Sequence, residues 1–144
     1  MLALLSVPSN LNAPSYEVTI GTQGNMLTVL KSKSPMGDLI IQADTPGILD
    51  PSVFRSFWIS WINGTVNFGS GDTVGQSRLL SFIDPQPTYR KHVHSIAVAS
   101  GAGSIGEWEF QQLTIEPEGV KGRSSFLKQI ATHFNDTVLN ARVL

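Results

Sequence analysis

The run from Phe54 to Gly69 reads as a complete β-hairpin, and no other stretch limits the fold of this chain as much. Arg55, Phe57, Ile59 and Trp61 share one parity, while Phe54, Ser56, Trp58, Ser60 and Ile62 share the other. Side chains alternate between the faces of a strand, so the first set marks a mostly apolar face and the second a mixed one. Asn63-Gly64 then supplies the dipeptide that enters positive φ most cheaply, as a two-residue hairpin turn requires. Val66 and Phe68 resume the alternation, and Gly69-Ser70-Gly71-Asp72 ends it.

The rest of the chain repeats this pattern in shorter pieces. Leu2–Val7, Tyr16–Ile20, Met26–Leu30 and Asp38–Asp44 read as strands before the hairpin, with Tyr16, Val18 and Ile20 inward. Ser77–Ile83, Val93–Ala99 and Glu107–Ile115 read as strands after it. Asp84-Pro85-Gln86-Pro87 stops one of them, because two prolines so close forbid a ladder. About nine short strands with regular turn signals predict an all-β chain, an antiparallel β-sandwich of jelly-roll-like form. The tail differs. Leu127, Ile130, Ala131, Phe134, Val138 and Ala141 recur at spacings of three and four, which predicts an amphipathic helix over Ser124–Asn140, capped by Ser124 or Ser125. The expected organisation is a sandwich over 1–115, then a linker and C-terminal helix over 116–144. That helix packs on its own sheet or docks on another copy or protein.

Composition narrows the function classes. The chain has 144 residues, 41% of them hydrophobic, which suits one domain with a sizeable core. A net charge of -1 gives none of the basic footprint of a nucleic-acid binder. No apolar run approaches the roughly 20 residues of a membrane span. Met1–Leu5 lacks the basic start and the length of a signal peptide, and reads instead as strand. Cysteine is absent, which excludes disulfides, thiolate catalysis and cysteine-based metal sites. No cofactor is expected.

Three motifs stand in order along the chain: Phe54-Arg55-Ser56-Phe57-Trp58-Ile59-Ser60-Trp61 with Asn63-Gly64, then Leu80–Pro87, and Ile96–Phe110 with its Gly101-Ala102-Gly103-Ser104-Ile105-Gly106 run. Together they resemble the farnesoic acid O-methyltransferase-like domain. Upstream, Tyr16–Gly21 with Gly24-Asn25, and Thr45–Leu49, are similar to it too. The resemblance spans roughly residues 2–110 and keeps the order of its motifs. The family commonly has Trp where this chain has Gln23, and Gly-Trp-Gly where it has Gly101-Ala102-Gly103, so a family site built on those rings is altered here. The family name implies methyl transfer from adenosylmethionine. The residues themselves do not supply the usual glycine-rich strand-to-helix turn, since the loose GxGxxG at Gly101–Gly106 lies between two strands. The resemblance also implies accessory modules of extracellular and surface proteins, where binding is the expected role and an extracellular setting is favoured.

The candidate ligand-binding residues are Trp58, Trp61, Asn63, Asp72, Asp84 and Glu107. Burial is the ordinary fate of a strand tryptophan. The functional alternative is an exposed ring that stacks on a sugar while Asn, Asp and Glu from nearby loops hold hydroxyls. His92 and His94 share a strand face but lack a third ligand, so no metal site is expected. Asp72 and Asp84 lack a calcium-loop motif, and nothing selects Asp84 and Glu107 as a glycosidase pair. Asn63-Gly64-Thr65 and Asn135-Asp136-Thr137 match the N-glycosylation pattern, but read as a hairpin turn and a helix segment. No catalytic constellation is evident, so the reading leans away from an enzyme. The first expectation is a non-catalytic, lectin-like module that binds a glycan or glycoprotein. The alternative is a structural or interaction subunit that oligomerises or docks through Ser124–Asn140. The third is the methyltransferase of the family name.

Overall fold

The computed structural model describes residues 2–6, 15–34, 37–62, 64–85, 95–100, 107–113, 130–131 and 137–143. They form two antiparallel sheets. The strands are β1 (Leu2–Ser6), β2 (Ser15–Gly21), β3 (Leu27–Lys33), β4 (Leu39–Asp44), β5 (Arg55–Ile62), β6 (Thr65–Ser70), β7 (Arg78–Ile83), β8 (Ser95–Ala99), β9 (Trp108–Leu113), β10 (Ile130–Ala131) and β11 (Thr137–Val143). The first sheet has the order β10-β8-β1-β2-β3-β4, and the second β7-β6-β5-β11-β9. β1 to β4 make one meander and β5 to β7 another, so the chain alternates between sheets only from β8 onward. That distinguishes it from the jelly-roll path expected from the strand pattern.

The alternation read in the sequence explains how the two sheets meet. Tyr16, Val18 and Ile20 of β2 face inward with Leu30 of β3. They share one core with Phe57, Ile59 and Trp61 of β5, Val66 and Phe68 of β6, and Leu80 and Phe82 of β7. Phe57 stacks on Phe68 with ring centroids 5.7 Å apart, and Tyr16 meets Phe82 edge to face at 6.1 Å across the sheets. The Tyr16 hydroxyl donates to buried Asp84, which adds a polar tie between the two layers. The opposite face of the second sheet carries a polar row: Ser81 Oγ donates to Asn67 Oδ1 at 2.8 Å, and Asn67 faces Ser60 across the ladder.

The tail corrects the expected helix. Ile130–Ala131 pairs with β8, and Thr137–Val143 runs between β5 and β9, so residues 130–131 and 137–140 are strand. The rest of the segment 124–140 lies outside the described residues. Within 137–143, Leu139, Ala141 and Val143 alternate with Val138, Asn140 and Arg142, and the segment is rich in β-branched residues, as a strand favours. The second sheet therefore reaches past the boundary expected near residue 115. Among the described residues the strands number eleven, against about nine expected.

Candidate functional site

A groove of about 410 Å³ opens where the β4–β5 and β6–β7 connections meet the start of β5. Gly47, Ile48 and Phe54 line it from the first connection, Ser70 from the end of β6, and Gly71 and Asp72 from the second connection. Arg55, Ser56 and Phe57 of β5 complete its lining. Arg55 has the parity of the core residues Phe57 and Ile59, but stands at the strand's first position, where the sheet ends. Its side chain is 48% exposed, and among the described residues its guanidinium pairs with one carboxylate, Asp50 Oδ2, at 3.4 Å. Asp50 is itself oriented by the Ser52 N–H, which donates to Oδ1 at 2.8 Å.

Both connections are held in place by polar side chains. Gly21, Gln23, Gly24 and Asn25 all have positive φ, which coils the β2–β3 turn left-handed. Asn25 tolerates that conformation and clamps the β4–β5 connection from both sides. Its Nδ2 donates to the Leu49 carbonyl at 2.7 Å, and the Leu49 N–H donates to its Oδ1 at 3.0 Å. The Gly47 N–H also donates to the Asn25 carbonyl, at 2.8 Å. On the other side, the Gly71 N–H donates to the Ser56 carbonyl at 2.8 Å, and Ser70 N–H to Ser77 O at 3.1 Å. Trp58 lies over Gly69 on the face away from the core, and its Nε1 donates to the Gln76 carbonyl at 2.9 Å.

Of the six residues expected from the sequence, the five that the structure describes do not form one site. Trp58 is 2% exposed and braces a loop, so it presents no stacking surface. Trp61 is buried in the core, and Asn63 lies outside the described residues. Asp72 is exposed and lines the groove. Glu107 is exposed and precedes Trp108, which pairs with Val143 beside Arg55, so it belongs to the same end of the sheet. Asp84 belongs to the other end, where its N–H donates to Gly64 O at 3.0 Å. The length of β5, at about 3.3 Å per residue, separates the two ends by roughly 20 Å. Asp84 and Glu107 therefore cannot act as a carboxylate pair. His92 and His94 lie outside the described residues. Among the described residues, no three of His, Asp and Glu gather as a metal-ligand group, and no helix is long and apolar enough to cross a membrane.

Sequence reasoning missed Phe54, Arg55, Ser56, Ser70 and Ile48. One signal was present for the Trp58 brace: a two-residue turn at 63–64 pairs Ile62 with Thr65, and hence Trp58 with Gly69. A large ring opposite a residue with no side chain tends to lie over it. A second signal was Arg55, a charge at the head of an apolar face.

The model of the farnesoic acid O-methyl transferase family matches residues 1–114. The chain belongs to that family. No curated protein and no solved structure matches it. The family match takes in β1 through β9, and with them every residue that lines the groove. It stops short of β10 and β11.

Proposed function

We propose that this family domain is a non-catalytic carbohydrate-binding module and that the groove at the head of β5 is its site. The observation that carries the reading is the mixture of groups on a pre-braced frame. Phe54 offers an aromatic ring, Arg55 and Asp72 offer opposite charges, and Ser56 and Ser70 offer hydroxyls. Sugars need apolar surface with a few oriented donors and acceptors around it. Two hydrogen-bonded connections fix those groups before a ligand arrives, which reduces the ordering cost of binding. The buried Trp58 leaves Phe54 as the ring for this role. A glycan array on the intact protein tests the reading, with Asp72→Asn as the control. Selective binding that weakens about tenfold in the variant supports it, on the scale of one lost hydrogen bond to a charged group. Absence of binding to every glycan refutes it.

A second reading, a protein-interaction subunit, draws on β4. This strand is an edge of the first sheet, and Leu39 and Ile40 stand exposed on it, Ile40 by 59%. Unpaired edges with apolar side chains invite strand addition. Light scattering over a concentration series decides it: association that Ile40→Lys abolishes favours this reading over the first. The activity in the family's name is the third reading, and adenosylmethionine titrated into the protein tests it directly.

A further inference from the structure

We infer that the groove prefers acidic saccharides, with Arg55 receiving the carboxylate of a uronic or related sugar acid; the inference rests on the carbohydrate reading above. Arg55 is the only cation lining the groove among the described residues. Guanidinium carries five N–H donors in a planar fork matched to a carboxylate. Only one of its nitrogens meets Asp50, at 3.4 Å, well beyond the usual length of a charge-assisted bond. Asp50 holds the side chain in position without saturating it, because its other oxygen is engaged by Ser52. A ligand carboxylate can therefore bind the fork bidentately without breaking a strong internal ion pair. Asp72 faces the same groove from the opposite connection. It repels an acid group placed beside it and accepts hydroxyls, which fixes the ligand's polarity: carboxylate toward Arg55, hydroxyls toward Asp72. A neutral sugar fills the same volume but leaves the guanidinium fork unanswered.

The test compares methyl glucuronide with methyl glucoside, which differ only at the carbon bearing the carboxylate, by NMR titration of the whole chain. The expected result is tighter binding of the glucuronide by about ten- to hundredfold, the range of a hydrogen-bonded ionic contact. That preference should shrink as salt is added. It should disappear in Arg55→Gln and survive in part in Arg55→Lys, which keeps the charge and loses the fork. Arg55 is about half exposed at the end of a strand, so both variants should fold, and matching circular dichroism spectra check that. Equal binding of the two sugars, or an Arg55→Gln variant that retains the preference, overturns the inference and leaves the carbohydrate reading standing. Binding of neither sugar overturns both. A response to polyglutamate in place of either sugar assigns the groove to acidic peptides and likewise overturns both.

Discussion

Gly69 shows how one missing side chain can set the position of a loop. A Cβ there would collide with the indole of Trp58, which crosses the sheet surface at that point. The same indole hydrogen-bonds Gln76, so its position and that of the β6–β7 connection are linked. Gly69→Ala should lower stability by about 1–3 kcal/mol, the usual cost of overpacking, read as a shift of the denaturation midpoint. It should also weaken the ligand binding proposed for the groove, which a merely local strain would not do. Lys31 and Asp38 present the opposite case, a close pair at 2.7 Å on the surface, both side chains partly exposed. The hydrogen bond between them raises the Lys31 pKa above 10.5 and lowers that of Asp38 below 3.8. A lowered carboxyl stabilises above its unfolded value and loses that contribution as pH falls through the folded one. A raised ammonium stabilises below its unfolded value and loses it as pH climbs through the folded one. The stability difference between wild type and Asp38→Asn should therefore be small and flat between those two values and shrink outside them. Urea titrations across pH check this.

Elements were legible where their partners are near in sequence. β2 and β3, and β5 and β6, declare themselves by alternation and by the turn residues between them; the hairpin of β5 and β6 formed as expected, and the strands β2 and β3 pair with each other. β11 did not declare itself. Its partner β5 lies some eighty residues upstream, so no turn marks the pairing. Its apolar residues also extend a three-and-four spacing begun by Leu127, which hides the alternation inside 137–143. The site was half legible for a similar reason. Asp72 was named as a loop acid, but its groove partners Ile48 and Phe54 come from a connection that only the tertiary fold places opposite it. Because β11 is interior to the sheet, Val143 has no solvent exposure. Val143→Ala should cost about 1–3 kcal/mol through lost contact and cavity, measured by thermal unfolding.

At the scale of the molecule, two sheets share one core, and their polar tie sits far from the groove. Tyr16 belongs to the first sheet and Asp84 follows the last residue of β7 in the second. Tyr16→Phe keeps the ring against Phe82 but takes one donor from a buried carboxylate, which costs about 1–3 kcal/mol. Denaturant unfolding should register that loss, while the glycan binding proposed for the groove, at the opposite end of β5, should stay unchanged. The insertion of β11 between β5 and β9 has a consequence for the nascent chain. While residues 137–143 are still inside the ribosome, β5 and β9 are both available but have nothing between them. The tryptophan-rich edge of β5 then waits uncovered through the synthesis of more than seventy residues, a window in which chaperones or a second nascent copy can compete for it.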